Sequence, residues 1–199
     1  MERMETAMTS RRAGTSSLTR VAVFAALTSV LAFISIPLPF GPVPMTAQSF
    51  GTMLAGLILD PGEAASSQVL YIFLGIAGMP VFAGNSSGLG VLTGPTGGYL
   101  WGFVVGAYVI ALLTRRGTHG KPPSTTSSIT ACVLGGVLVV YALGVLQLWT
   151  VTRLPLGKAI FAGALPFLPG DLLKACIAGS AGSRLRRAVR ASQAHRTIG

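Results

Sequence analysis

Opposite charges three residues apart in an otherwise apolar run mark Leu168-Pro169-Gly170-Asp171-Leu172-Leu173-Lys174 as the stretch best suited to chemistry. Asp171 is the only acid after Glu63. Pro169 and Gly170 break a helix arriving from upstream and suit the entry to a new one. Asp171 then falls in the first turn, where a carboxylate suits the positive end of the helix dipole. Lys174 projects from the same face. Inside a membrane each charge costs roughly 2.5–3.5 kcal/mol or more unless it is partnered. The pair is therefore either a binding site at a helix mouth or a self-satisfied link between two helices, and the cost of placing it there favours the site.

The membrane premise comes from composition. Of the 199 residues, 51% are apolar and 10% charged, against about a quarter charged in a soluble domain, and the mean hydropathy is +0.67. No charged residue occurs from Val21 to Leu59, from Ala64 to Thr114, or from Pro122 to Thr152. A span needs about 20 residues, so the first two runs must each fold back. The net charge of +10 is carried by loops and tails, which points to lipid headgroups and orientation rather than to nucleic acid.

These runs predict an all-α membrane protein of six transmembrane helices. Residues 1–17 form a disordered arm, residues 18–187 the helical domain, and residues 188–199 a basic tail. Val21–Ile36 reads as a first span rather than a signal peptide, because no small-x-small cleavage pattern follows it. Ala22, Ala26 and Ser29 share one face of this helix, a small-residue surface that lets a partner helix approach closely. A proline-rich turn follows, from Pro37 to Pro44. The second span is Met45–Leu59, with Gln48 inside it, and the third runs from Glu63 to about Gly78. Met79–Pro95 is glycine-rich and uncharged, and its length and apolar content suit a lid or plug. Thr96–Leu113 and Ile129–Trp149 are the fourth and fifth spans. Ala159–Leu165 is a short helical piece, and the sixth span opens at Gly170.

With the N-terminus inside, inner segments hold twelve basic residues and outer segments two, Arg153 and Lys158. This puts both termini in the cytoplasm. It also gathers the proline turn, the glycine-rich loop and the Pro166–Gly170 break on the outer side, above Asp171 and Lys174. Such a layout suits a pocket that captures something from outside.

Other chemistries lack their residues. There is no Walker motif, so the chain does not hydrolyse ATP. Cys132 and Cys176 fall in spans without further ligands at zinc spacing and read as buried apolar residues. His119 and His195 have no acid near them in sequence, and no nucleophile–base pair stands out. The chain therefore reads as neither an enzyme nor a metal binder.

Four ordered blocks resemble the BioY family: Pro42-Val43-Pro44-Met45-Thr46-Ala47-Gln48-Ser49-Phe50, Gly78-Met79-Pro80-Val81-Phe82-Ala83-Gly84, Gly94-Pro95-Thr96-Gly97-Gly98-Tyr99, and Leu168-Pro169-Gly170-Asp171-Leu172-Leu173-Lys174. BioY is the biotin-binding membrane subunit, or S component, of energy-coupling-factor (ECF) transporters. The resemblance covers about Leu18 to Ala178. It implies a six-helix bundle in a prokaryotic cytoplasmic membrane and high-affinity biotin capture from outside. It also implies coupling to a transmembrane scaffold protein and two ATP-binding-cassette ATPases, with no cofactor of the chain's own. By the same resemblance Asp171, Lys174 and a polar loop residue, here Asn85, line the pocket. Gln48 is placed with them, Phe82, Tyr99 and Trp101 offer apolar walls, and Ala22, Ala26 and Ser29 face the scaffold's helices. The rival reading is a stand-alone facilitator that moves biotin without ATPases.

Overall fold

The computed structural model describes residues 2–39, 42–116 and 123–196, with side chains over 15–39, 42–115 and 123–184. His119 and Lys121 lie outside the described residues, as do the side chains of Arg3, Arg11, Arg12 and His195. Helix α1 (Glu2–Ala32) begins inside the arm that the sequence set apart as disordered. α2 (Gln48–Ile58) and α3 (Pro61–Ile76) form a helical hairpin about Asp60. A short 3-10 turn (Ala83–Asn85) and α4 (Leu89–Thr93) occupy the glycine-rich segment. α5 is Gly97–Arg116. α6 (Thr125–Ala131), a π-helical stretch (Cys132–Val139) and α7 (Val140–Thr152) run on as one long helix. α8 (Leu156–Gly163) and α9 (Leu168–Arg196) are bent 47° across the break between them.

Among the described residues, three helical stretches are long and apolar enough to cross a membrane: Thr15–Ala32, Gly97–Arg115 and Thr125–Thr152. The bent α8–α9 pair makes a fourth if it is taken as one broken span. α2, at 11 residues, rises only about 16 Å, and the 16-residue α3 is also below the length of a full span.

Two boundaries differ from the sequence expectation for identifiable reasons. Met45 and Thr46 are extended, pairing antiparallel with Ser35 and Ile36 in a two-stranded ribbon, so α2 starts only at Gln48. The break before α9 falls at residues 164–167, ahead of Pro169. Pro169 sits in the first turn, where its missing N–H removes no intrahelical bond.

Lipid gives helices little hydrophobic reason to associate, so close van der Waals approach must do it. Gly98, Gly102 and Gly106 recur every fourth residue along α5 and lie against the long α6–α7 helix. A Cβ at Gly98 would come within 2.2 Å of the Leu143 carbonyl oxygen, at Gly102 within 2.8 Å of Val140 Cα, and at Gly106 within 2.5 Å of the Gly135 carbonyl oxygen. Gly56 performs the same service between α2 and α5, where a Cβ would meet Ile110 at 2.6 Å. α5 is thereby the central post, packed against α2, α3 and the long α6–α7 helix.

At the end remote from the Met45–Thr46 ribbon, two ion pairs staple the helices. Arg20 binds Glu63, which also accepts from Ser17 Oγ at 2.6 Å. Arg115 pairs with Asp60 at 2.5 Å and donates to the Leu59 carbonyl at 2.6 Å, capping α2. The glycine stripe yields a stability prediction. Gly102→Leu should destabilise the purified protein by about 1–3 kcal/mol or prevent its folding, whereas Val105→Leu, on the exposed face of the same helix, should leave the thermal midpoint in detergent nearly unchanged.

Candidate functional site

A cavity of about 390 Å³ opens where the ribbon, the start of α2, the glycine-rich segment, α5, α7 and α9 converge. Its size falls in the roughly 300–1,000 Å³ range of small-molecule sites. Asp171 and Lys174 both line it. Lys174 Nζ lies 2.8 Å from Asp171 Oδ1, with side-chain exposures of 20% and 9%. The pair does not stand alone. Ser49 Oγ donates to Asp171 Oδ1 at 2.8 Å, and Tyr141 OH donates to Oδ2 at 2.6 Å. Lys174 Nζ also donates to the Thr46 carbonyl at 2.5 Å and to Ser49 Oγ at 3.1 Å. All three ammonium donors are therefore used, while Oδ2 accepts one hydrogen bond and keeps a lone pair. The Thr46 carbonyl can take part because extended backbone leaves it outside the hydrogen-bond ladder of α2.

Gln48 also lines the cavity, but its amide is engaged: Oε1 accepts from Thr46 Oγ1 at 3.0 Å and Nε2 donates to Tyr71 OH. Tyr71 in turn donates to the Val81 carbonyl at 3.1 Å. Phe82, 1% exposed, packs its ring edge-on to Tyr71 with centroids 5.6 Å apart and lies so close over Gly75 that a Cβ there would fall 2.1 Å from the ring. Tyr99 presents its ring to the cavity while its hydroxyl donates to the Gly163 carbonyl at 2.6 Å, tying α5 to the end of α8.

Not all of the sequence-predicted residues join this group. Asn85 is exposed and does not line the cavity, whereas its neighbour Ser86 does. Asn85 has φ 58°, in the left-handed region that asparagine tolerates better than most residues. A backbone requirement thus accounts for its identity. Trp101 is 48% exposed on the outside of α5. On α1, Ala22 and Ala26 are exposed, but Ser29 is buried with its hydroxyl donating to the Ala25 carbonyl at 2.9 Å. Ser29 therefore belongs with Ala25, Thr28 and Ala32 on the face turned into the bundle. Cys132 is buried as expected, but Cys176 is exposed on α9.

The residues that sequence reasoning missed are Ser49, Tyr141 and Thr46. Ser49 was in view, inside the block that carries Gln48. Nothing in the run around Tyr141 distinguishes it from a packing aromatic, since its partner is 30 residues away.

Comparison with known proteins gives a consistent result. A model of the BioY family matches residues 4–191. The biotin transporter BioY of Rhizobium etli is 39% identical over 172 residues, which cover 84% of this chain and 91% of that protein. The biotin transporter BioY of Thermotoga maritima is 39% identical over 170 residues, covering 85% and 95%. A crystal structure of the S-component for biotin from an ECF-type ABC transporter superposes with a TM-score of 0.80 at 28% identity, covering 88% of this chain and 93% of that one. These relatives are transporters rather than enzymes, and with a family match over nearly the whole sequence the chain belongs to the BioY family.

Proposed function

We propose that this chain captures biotin at the outer side of a prokaryotic cytoplasmic membrane and delivers it inward as the substrate-binding component of an ECF transporter. A transmembrane coupling protein and two ABC ATPases supply the driving step. The observation that carries the reading is the Asp171–Lys174 pair on the wall of a cavity otherwise lined largely by apolar groups. The layout is six crossings with both termini inside: α1, α2, α3, α5, α6–α7 and α8–α9. The twelve-to-two distribution of basic residues supports it. So do the two arginine staples at the end of the bundle away from the cavity. α2 and α3, too short alone, cross with the help of the ribbon and loops at their outer ends.

Biotin offers a carboxylate, a ureido ring with two N–H donors and a carbonyl, and an apolar thiophane. Lys174 neutralises the carboxylate. Since its three donors are already committed, the carboxylate displaces the longest contact, that to Ser49 at 3.1 Å. Asp171 Oδ2, holding only Tyr141, accepts a ureido N–H. Gln48 fixes the cavity floor, Phe82 and Tyr99 face the thiophane, and Ser86 rather than Asn85 supplies the polar contact from the loop.

Three expectations follow from this reading. Removing one partner of a buried charge-assisted contact costs about 2–5 kcal/mol, or some 30-fold to several thousandfold in affinity. Calorimetry should therefore find biotin binding by Lys174→Ala weakened by that factor, with most of the preference for biotin over a neutral biotin amide gone. Asp171→Asn, which keeps the shape and an acceptor, should lose less than Asp171→Ala. If the pair served only the fold, both single variants would be unstable, and a well-folded Asp171→Asn/Lys174→Met double variant with unchanged affinity would end the site assignment.

The glycine-rich cover should respond to the ligand. Gly84 and Gly88 have φ of 69° and 91° and carry no side chain, so the backbone at these two positions can change conformation at little steric cost. Hydrogen exchange over 83–93 should slow when biotin is added; identical exchange at saturation would make the segment a fixed plug.

Docking to the coupling protein uses the exposed small residues Ala22 and Ala26. Ala26→Trp should abolish pull-down of the partners and ATP-dependent uptake while biotin binding by the isolated chain stays within about twofold, a span well under the 1.4 kcal/mol of a tenfold change. Uptake that persists without ATPases would instead favour a facilitator.

A further inference from the structure

The cover is held at its two ends in different ways. Its near end is fixed several times over from α3: Tyr71 OH donates to the Val81 carbonyl at 3.1 Å, the Tyr71 ring meets Phe82, and the Gly88 amide donates to the Gly75 carbonyl at 2.8 Å. Its far end, where α4 passes into α5, is tied to α7 by a single side chain. Gln147 Nε2 donates to the Leu92 carbonyl at 2.6 Å and to the Gly94 carbonyl at 2.8 Å, one through each of its two hydrogens. Leu92 lies in the last turn of α4, where carbonyls have no intrahelical partner. Gln147 does not line the cavity, but Gly90, Val91 and Gly94, on the stretch it ties down, do. The surroundings are shaped to this contact. A Cβ at Gly97 would sit 1.9 Å from the Leu92 oxygen and 2.5 Å from Gln147 Nε2, and a Cβ at Gly98 2.7 Å from Gln147 Cβ.

We propose that Gln147 is a positioning residue for ligand retention: from behind the cavity wall it pins the Leu92–Gly94 end of the cover, and this sets how fast a bound ligand escapes. The inference rests on the biotin-capture reading and adds to it a residue that no ligand touches. Its chemistry is donation alone. A carboxylate of the same shape would face two carbonyl oxygens with no hydrogen to offer and would repel them.

The test uses the full chain in lipid nanodiscs, with Gln147→Glu and Gln147→Leu, and reads two quantities. Hydrogen exchange over 89–96, without ligand, should rise about 10-fold in both variants while α5 and α9 stay protected. Biotin, the probe, should dissociate about 10- to 100-fold faster, as expected when the Leu92 carbonyl is left unpaired and the Gly94 carbonyl keeps only the Gly97 amide at 3.2 Å, with an association rate constant within about threefold of the parent. A packing role alone would leave Gln147→Glu, nearly isosteric with the parent, close to it in both readouts, and that result overturns the proposal. If neither variant folds, Gln147→Asn decides, since it keeps the amide but withdraws it by one methylene; unchanged exchange and dissociation there count against the proposal, and faster exchange and dissociation support it. Should the parent chain fail to bind biotin, the capture reading fails by itself. The exchange measurement then judges Gln147 alone: faster exchange over 89–96 upholds the clamp and unchanged exchange removes it.

Discussion

Asp171 is buried and the Lys174 side chain is only 20% exposed, so both charges are largely withdrawn from water, and the surrounding structure answers that cost. A buried ion pair is tolerated only when the remaining lone pairs and protons also find partners. Thr46, Ser49 and Tyr141 provide them, each from a different structural element. The ribbon must leave the Thr46 carbonyl outside the helix, α2 must begin in time to turn Ser49 toward α9, and α7 must bring Tyr141 across from residue 141 to residue 171. The local geometry of three elements is thus tied to one pair of charges, so the network is both a candidate site and a determinant of how those elements meet.

The elements can meet at these distances because of the glycines. α5 and the α6–α7 helix come close enough to exclude any Cβ at Gly98, Gly102 and Gly106, and a Cβ at Gly144 would collide with the Tyr99 ring. That contact sets where Tyr99 enters the cavity and where Tyr141 lies relative to Asp171. The π-helical stretch Cys132–Val139 falls within the same contact. An extra residue per turn re-aims every side chain that follows, Tyr141 among them.

Much of the architecture was legible in the chain. Uncharged runs give the helices, the Asp60 turn separates α2 from α3, and the Pro166–Gly170 region marks the bend before α9. Asp171 and Lys174 stand out because charge is scarce in apolar sequence, and the cavity contains both. What stayed hidden depends on long-range geometry. Residue identity distinguishes Tyr141 from Tyr108 in no way, yet one reaches Asp171 and the other is exposed. Gln147 is one polar residue in a helix, and its role is visible only once α4 lies beside it. A polar residue in a loop reads as a ligand contact, but Asn85 does not line the cavity, and its left-handed backbone gives a separate reason for an asparagine there. Ser29 is buried while Ala22 and Ala26 are exposed, because spacing along a helix counts a face without knowing which neighbour covers it.

One polar layer belongs to neither the cavity nor the surface. Thr52 Oγ1 donates to Gln68 Oε1 at 3.2 Å, and Gln68 Nε2 donates to Thr28 Oγ1 at 3.3 Å and to Ser67 Oγ at 3.1 Å. All four residues are fully buried. It lies one turn along α2 and α3 from the Gln48–Tyr71 pair, so the two helices are joined at successive levels. Apolar packing in lipid leaves helix register weakly determined, because neighbouring offsets bury similar surfaces. Hydrogen bonds are discrete, and a shift of one residue would leave Gln68 unsatisfied at a cost of about 1–3 kcal/mol. Through Thr28 this layer also fixes the rotation of α1. That rotation is what keeps Ala22 and Ala26 on the outside while Ala25, Thr28 and Ser29 face inward. The small exposed face of α1 is therefore specified from within, by polar contacts on the opposite side of the same helix.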